Sequence, residues 1–326
     1  MRSRFALALL ISAILAGASV PAGAASDTAK SKMMMGMEGV FNFGYKASRM
    51  HMEGSRSGTN RLSNAEVLTT FPVTPVRMIK YMHMFSGIYG LTNDLTLVAM
   101  VPYVDIAMKH LNQAGVNFTT KSKGIGDVSL LGMYRILRSG NHEFLVSGGV
   151  SLPTGSIDKT DTTPAGPNRP LPYAMQPGSG TFDLLPGLTY RGRAGAYLWG
   201  GKASAVLRIG DNDANYTFGD RYRVSAWGAR RWVDWFSTSL RVNYETRANV
   251  DGADVRLNPA MVPTANANLL GGDRVDLIGG VTFIGTGGLI KGQRLFVEFG
   301  APIYQKIDGP QLEVDWVLSA GIKLRF

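Results

Sequence analysis

The most constraining feature of this sequence is an alternation of apolar and polar residues at its C-terminal end. Eight apolar residues there share one parity: Leu312, Val314, Trp316, Leu318, Ala320, Ile322, Leu324 and Phe326. The positions between them are mostly charged or small and include Glu313, Asp315, Lys323 and Arg325. Because successive side chains of a strand point to opposite faces, this pattern predicts one strand with an apolar face and a polar face. A strand of this length can cross a bilayer when tilted.

The same alternation recurs along the chain. We find twelve such segments, at about residues 38–52, 76–89, 95–108, 124–137, 143–154, 179–191, 196–209, 220–232, 236–247, 273–284, 293–304 and 312–326. Their connections alternate between long, such as 53–75 and 155–178, and tight, such as 90–94 and 138–142. Long external loops and short periplasmic turns are typical of outer-membrane barrels. The sequence therefore predicts an all-β fold, a transmembrane antiparallel up-and-down β-barrel of about 12 strands that occupies residues 37–326.

A secreted β-sandwich is the alternative, and the position of the charges argues against it. In one segment Val128 and Leu130 oppose Asp127 and Arg135, so charge lies on a face that a sandwich would have to keep dry. A closed barrel tolerates charge on its inner wall and leaves no unpaired edge strand. Since the chain has no cysteine, disulfide-stapled folds, thiolate metal sites and a lipoprotein anchor are all excluded.

The N-terminus has the composition of a secretory signal peptide. Arg2 and Arg4 precede an apolar run over residues 5–15, and small residues follow at 22–24. This pattern predicts a signal peptide over residues 1–24 with cleavage after Ala24. Cleavage lowers the formal net charge from +10 to +8. Residues 25–36 would then form a periplasmic N-terminal segment or plug, and the expected location is the Gram-negative outer membrane.

Methionines are concentrated early in the chain, since eleven of the fifteen lie between Met33 and Met108. Parity places six of them on the inner wall of three neighbouring strands: Met50, Met52, Met78, Met82, Met84 and Met100. A thioether is a soft ligand suited to Cu(I) or Ag(I), so we interpret this set as a candidate site for those ions. No other cofactor is expected. The alternative is that unbranched methionines fill an irregular interior around a plug.

The inner wall is also basic. By parity it carries fourteen basic residues against seven acidic ones. Residues expected to line the path of a solute are Lys46, Lys80, Asp127, Arg135, Asp183, Arg208 and Arg241. A basic excess favours anions in an aqueous path. Alternatively, most of these charges pair across the lumen and close it.

The four histidines do not favour an enzyme. Parity places His51 and His83 on the lipid face, His110 in an external loop and His142 in a periplasmic turn. A His-based metal site or a Ser–His pair needs these side chains close to a second ligand or a nucleophile. We therefore predict no catalytic role, with His51 and His83 as the two candidates that would contradict it.

The expected partners follow from the barrel. Its outer face requires membrane lipid, with lipopolysaccharide at the external rim, and its lumen requires a small-molecule solute. The terminal Phe326, after alternating apolar residues, resembles the signal by which the outer-membrane assembly machinery recognises barrel proteins. A basic exported chain gives no reason to expect a nucleic-acid partner.

Several motifs resemble those of a known family. They are GIGDV at 124–128, SLPTG at 151–155 and QPGSGTFD at 176–183. This set is similar to the outer-membrane transporter family named for the meta-pathway of phenol degradation. The methionine-rich segments 49–54 and 81–85 resemble a branch of that family often found beside copper-handling genes.

The resemblance implies a function without naming one solute. It implies a transporter-like barrel that gives passive passage to a small solute, either a phenolic or aromatic compound or another small hydrophobic one. Two alternatives remain open. One is Cu(I)/Ag(I) handling through a methionine-lined lumen, and the other is a general anion-preferring porin.

Overall fold

The computed structural model describes residues 38–326, and strands dominate them. The strands are β1 Phe41–Gly58, β2 Asn60–Leu62, β3 Val73–Gly90, β4 Leu95–Asn112, β5 Asn117–Ile125, β6 Val128–Ser139, β7 His142–Leu152, β8 Thr160–Thr163, β9 Gly166–Pro170, β10 Phe182–Leu184, β11 Gly187–Ala194, β12 Tyr197–Ile209, β13 Tyr216–Thr217, β14 Arg221–Val233, β15 Phe236–Arg247, β16 Asp251–Gly252, β17 Gly272–Ile284 and β18 Arg294–Arg325. The helices are α1 Asn64–Leu68 and four 3₁₀ turns, Tyr173–Met175, Pro263–Ala265, Ala267–Leu269 and Gly288–Ile290. The predicted signal peptide and the segment 25–36 lie outside the described residues.

The large sheet closes into a ring. Antiparallel neighbours follow the order β1, β3, β4, β6, β7, β11, β12, β14, β15, β17 and β18, and β18 pairs with β1 again. β10 continues the path of β11 on its external side and pairs with β7 and β12. Closure satisfies the backbone hydrogen bonds of every strand in the ring, which a bilayer requires.

The last strand crosses the ring twice. Residues 294–307 of β18 pair with β17, and residues 311–325 pair with β1. The two halves contact each other as a hairpin, since Gln293 hydrogen-bonds the backbone of Arg325 and Gln305 hydrogen-bonds that of Val314. Within residues 38–326 the barrel thus makes twelve crossings, and the predicted transmembrane β-barrel is confirmed.

The outer wall carries the apolar residues that parity assigned to lipid. Exposed large apolar residues on β1, β3 and β4 are Phe41, Tyr81, Phe85, Tyr89, Leu97, Val101 and Tyr103. The backbone amide of Phe326 donates to the carbonyl of Phe41, so both ends of the described chain lie together at the rim. In this part of the chain no helix is long and apolar enough to span a membrane.

Three details differ from the sequence expectations. Residues 109–123, which separate two of the predicted segments, are mostly strand, because β4 continues to Asn112 and β5 folds back along it. His110 therefore lies in β4, buried and stacked on Phe118. The alternation of the last strand breaks at Asp315, which the register skips between Trp316 and Val314. Such a bulge changes the side-chain parity, so Val314 is buried instead of facing lipid.

Candidate functional site

The methionines of β1, β3 and β4 form a row across the inner wall. The register places Met52 opposite Met78, and Met78 opposite Met108. Directly opposed Cβ atoms lie about 4.5–5.5 Å apart, so the three thioethers are neighbours. Parity along each strand aims the remaining predicted methionines of β3 and β4 inward too.

Two apolar clusters follow this wall from the external side towards the periplasm. The upper cluster contains Met78, Val104, Ile106, Met108, Leu171, Met175 and Leu312, with Met52 and Met82 packed against it. The lower cluster contains Val98, Met100, Leu131, Leu185 and Val206, with Met84, Ile88 and Met133 packed against it. We call the two clusters together the apolar stripe. Five of the six methionines of the predicted metal set are thus divided: Met52, Met78 and Met82 are above, and Met84 and Met100 are below.

Met50 belongs to neither cluster. Its register partners are Lys80 on β3 and Val317 on β18. The predicted set also omits Met108 and Met175, both fully buried in the upper cluster. Met108 could have been included, because it has the inward parity of Met100. Met175 could not be found by strand parity, because it lies in a loop.

That loop folds into the barrel. We call residues 153–181 the plug loop; it contains β8, β9 and the 3₁₀ turn Tyr173–Met175. Its residues Leu171 and Met175 pack with inward-facing Met78 and Met108 of the wall. Apolar residues at 171, 173 and 175 supply the burial that holds an otherwise Pro- and Gly-rich loop inside.

One carboxylate holds both ends of the plug loop. Asp127 Oδ1 accepts from the Gly155 amide at 3.0 Å, and Asp127 Oδ2 accepts from the amide and the hydroxyl of Ser179 at 2.7 Å each. Gly155 and Gly178 approach so closely that a Cβ on Gly155 would lie 2.5 Å from the Gly178 Cα. Asp127 is therefore an anchor of the plug loop instead of a residue that merely lines the wall. Close backbone approach explains why glycine stands at both positions.

Gln176 and Thr154 complete the anchoring. The Gln176 side chain accepts from the Lys159 amide at 2.9 Å and donates to the Leu171 carbonyl at 2.8 Å. Thr154 Oγ1 donates to the Gly126 carbonyl and accepts from the Val128 amide, both at 2.9 Å. The three sequence motifs at 124–128, 151–155 and 176–183 thus meet at one place and fix the plug loop.

The external mouth is covered by a second loop, residues 248–271. Tyr173 of the plug loop accepts a hydrogen bond from the Asp254 amide of this loop at 3.0 Å. Tyr173 also packs edge-on against Tyr216 of the connection 210–220, with ring centroids 4.8 Å apart, and Tyr216 packs on Phe218. Burial raises the pKa of both tyrosines, so both hydroxyls stay neutral. Arg256 joins the two loops, since its guanidinium binds Asp254 at 2.7 Å and Asp158 of the plug loop at 2.6 Å.

The opposite wall is built from ion pairs. Arg208 pairs with Asp183, and Arg223 pairs with Glu245. Further pairs there are Arg274 with Asp276 at 2.9 Å and Arg241 with Glu298 at 2.6 Å. Outside that wall, Lys46 of β1 pairs with Glu298 at 3.6 Å, and Arg135 of β6 pairs with Glu143 at 2.9 Å and with Asp94 at 2.8 Å. Of the predicted lining residues, Lys46, Arg135, Asp183, Arg208 and Arg241 are therefore engaged with neighbours on the wall. Lys80 has no carboxylate within 4 Å among residues 38–326.

Two of the four histidines, His51 and His83, lie on the outer wall as parity predicts. His83 on the outer wall bonds the Tyr45 hydroxyl at 2.8 Å, and His51 stacks on Trp316. His51 Nδ1 also lies 2.9 Å from Asp315, at a cavity of about 400 Å³ that includes Ser55. The Ser55 hydroxyl has no hydrogen-bond partner among the described residues, so His51 forms no Ser–His pair there. Residues 38–326 also hold no group of three His, Asp or Glu side chains arranged for a metal.

Comparison with known proteins identifies a family. The family model described as "Putative MetA-pathway of phenol degradation" matches residues 76–256, more than half of the chain. This range begins within β3, ends after β16 and contains the plug loop and all three anchoring motifs. No curated protein matches the chain at a significant level.

A solved structure gives the same fold. The COG4313 outer membrane channel from Pseudomonas putida F1 is 12% identical, with a TM-score of 0.64 over 93% of this chain and 100% of that one. The CymD monoaromatic hydrocarbon channel (10% identity, TM-score 0.41, 89% of each chain) and the NanC porin (8%, 0.43, 86% of this chain and 98% of that one) are more distant. The likeness to the first of these shows the barrel fold.

Proposed function

Since this chain belongs to the phenol-degradation family matched above and forms a Gram-negative outer-membrane barrel, we propose that it gives passive passage to a small aromatic or phenolic solute. The observation that carries this proposal is the apolar stripe. It runs from Met108 near the external side to Val98 near the periplasmic side, on the inner wall. A lumen that only conducted ions would gain nothing from a continuous apolar lining, whereas a largely apolar solute needs one to leave water.

The plug loop decides which solutes enter. Leu171 and Met175 cover the upper part of the stripe, and the loop is fixed by buried hydrogen bonds at both ends. A general porin with a wide aqueous path is therefore the less favoured function. A solute that displaces apolar contacts of the loop could pass, while water and ions meet paired charges on the other wall.

Uptake by intact cells tests this function. Phenol dissolves in phospholipid bilayers, so the measurement needs the lipopolysaccharide-containing outer membrane as the barrier. We expect cells with the wild-type barrel to take up labelled phenol at least fivefold faster than cells with the Met84→Lys/Met100→Lys variant. The charges would break the lower stripe without a large change in side-chain length.

Met261→Lys is the matched control. Met261 is an exposed methionine of the loop over the external mouth, so the same substitution there leaves the stripe intact. Uptake is expressed per amount of folded barrel in each strain, because a charge in a buried cluster also lowers that amount. Phenol uptake that is unchanged by the double substitution would rule out passage along the stripe.

A second candidate function is contact with Cu(I) or Ag(I) as a transported ion. The row of Met52, Met78 and Met108, with Met82 and Met175 in the same cluster, offers several thioethers in one buried place. Two or three sulfurs at one point suit a soft monovalent ion. Of the predicted set, Met50, Met84 and Met100 do not belong to this group.

Silver titration separates metal contact from packing. We expect Ag(I) to bind the detergent-folded barrel, and Met52→Leu/Met78→Leu to weaken that binding at least tenfold, because leucine keeps the volume and removes the sulfur. Met133→Leu in the lower cluster is the matched control and should leave the affinity unchanged. Equal affinity in the wild type and the double variant would leave packing as the role of this row.

The outer wall supports two partner proposals. At the external end of the lipid face, Arg49 lies over the rings of Tyr81 and Trp316, at the depth where lipopolysaccharide headgroups are expected. At the periplasmic end, Phe326 is 72% exposed and stacks on Phe41, which leaves it available to the assembly machinery. Phe326→Ser should lower the amount of assembled barrel, and unchanged assembly would contradict the second proposal.

A further inference from the structure

Two arginines face each other directly on the ion-paired wall. The register places Arg221 of β14 opposite Arg247 of β15. Like charges in directly opposed positions of a sheet repel each other. Arg221 has no carboxylate within 4 Å among residues 38–326, and the hydrogen bond that Arg247 makes is to the neutral side chain of Gln311, at 3.2 Å.

A third cation reaches the same place from the opposite wall. β3 lies six crossings from β14 around the ring of twelve, so the two strands face each other across the lumen. Lys80 on β3 points inward and lies within electrostatic reach of both Arg221 and Arg247. Three cations from three strands therefore converge on one part of the lumen.

Two acids lie near these cations, and both already have other partners. Asp308 is within electrostatic reach of Arg247 and accepts a hydrogen bond from the Asn249 side chain at 2.9 Å. Glu245 pairs with Arg223 and lies 3.9 Å from Arg274. It is within electrostatic reach of Arg221, but it can balance only one of the cations around it. The convergence of Lys80, Arg221 and Arg247 thus leaves excess positive charge in a partly enclosed site, where it is screened less than on a surface.

The surroundings of Lys80 are apolar. Met78 and Met82 flank it on the same face of β3, and its register partners are Met50 on β1 and Ile106 on β4. Met78 and Ile106 belong to the upper cluster of the apolar stripe. The lumen thus presents cations beside a surface of thioether and aliphatic groups.

We propose that Lys80, Arg221 and Arg247 form a binding site for an aromatic carboxylate. The carboxylate lies between the three cations, and the ring packs on the adjacent thioether and aliphatic groups of the stripe. Guanidinium groups bind carboxylates through charge-assisted hydrogen bonds. The inference rests on the proposed passage of aromatic solutes and names an anionic class among them.

Calorimetric titration of the detergent-folded full barrel tests the site. The probe is benzoate, with benzyl alcohol as the ring without the charge and acetate as the charge without the ring. We expect benzoate to bind at least tenfold more tightly than either. In the Lys80→Met/Arg221→Gln variant, we expect benzoate affinity to fall at least tenfold, to the level of benzyl alcohol.

Arg230→Gln is the matched control. Arg230 lies on β14 as well, but it packs over Tyr197 and Trp232 on the outer wall, so its loss should leave benzoate affinity unchanged. If the double variant does not fold, Arg247→Gln alone should lower the affinity at least threefold. Equal binding of benzoate and acetate, or equal affinity in the wild type and a folded double or Arg247→Gln variant, would overturn the proposal.

The two proposals can fail separately. Benzoate binding that depends on Lys80 and Arg221, together with phenol uptake that ignores the stripe, would leave the anion site and remove the proposed function. Phenol uptake that depends on the stripe, without benzoate binding, would support the proposed function and remove the anion site.

Discussion

Two sectors of the inner wall differ in the side chains that oppose each other across their strands. In the sector of β1, β3 and β4, residues opposed across strands are methionines, as in the row Met52, Met78 and Met108. In the sector of β14, β15 and β17, the opposed residues are charged, as in the row Arg223, Glu245 and Arg274. Both rows lie on the inner face of their strands, so the apolar–polar alternation predicts only that they face inward.

This difference explains why the plug loop fills the lumen on one side only. The apolar sector binds the plug loop by burying Leu171 and Met175. The charged sector keeps its side chains along the wall through ion pairs and does not require a loop to cover it. We therefore expect the plug loop to dock on the methionine sector and not on the charged sector. A solute would then contact apolar groups on one side of the lumen and cations on the other.

The largest effect should come from a charge in the methionine sector. Met108 is fully buried beneath the plug loop, so Met108→Lys would bury an unpaired ammonium group at a cost of about several kcal/mol. We expect the amount of folded barrel, measured by its heat-dependent migration in gel electrophoresis, to fall at least tenfold.

The charged sector supplies the control for that experiment. Arg221→Met removes one member of a like-charge pair, so it should leave the folded amount within twofold of the wild type. If Met108→Lys and Arg221→Met gave equal amounts of folded barrel, the two sectors would not differ in the way proposed.

A second prediction releases the plug loop without touching either sector. Asp127→Ala removes three hydrogen bonds to a charged acceptor, each worth about 1.5–3 kcal/mol. We expect planar-bilayer conductance to rise about tenfold and the plug loop to become sensitive to protease. Asp105→Asn, an exposed acid of β4, is the control. A silent, protease-resistant Asp127→Ala barrel would show that apolar docking alone holds the loop.

Parity predicted the walls from the sequence because the strand period is local. It placed Met78, Met82 and Met84 inside and His51 and His83 outside, as the structure shows them. It failed at Val314, where the bulge at Asp315 changes parity, since nothing in the local alternation marks a skipped residue.

The plug loop and the pairing of charges could not be predicted in this way. Met175 and Leu171 reach the wall through a fold that depends on Asp127, which lies about fifty residues from Ser179. The register of the β14–β15 hairpin decides that Arg223 meets Glu245 whereas Arg221 meets Arg247, and alternation within a single strand does not give that register. The motifs at 124–128, 151–155 and 176–183 marked the anchoring residues, but only the structure shows that they meet.

A third prediction sharpens the role of packing in the methionine sector. Met175→Ala leaves a cavity in the upper cluster and should destabilise the docked plug loop by about 2–5 kcal/mol. Met175→Leu keeps the volume and should cost less than about 1.5 kcal/mol. Hydrogen exchange of residues 153–181 measures both. Equal protection in the two variants would mean that Met175 does not hold the loop.

The smallest effect concerns the external mouth, where the same contrast of apolar and charged contacts recurs. Burial alone would raise the pKa of Asp254, but the hydrogen bonds and charge of Arg256 lower it below its ordinary value of 3.8. A carboxylate with a depressed folded pKa stabilises the loop above the unfolded value and loses that contribution as the pH falls through the folded one. Protection of loop 248–271 against protease should therefore persist down to about pH 4 and decline below it. Asp254→Asn should remove this decline, while the aromatic contact of Tyr173 with Tyr216 should hold at every pH. A decline of the same size in Asp254→Asn would assign it to another acid.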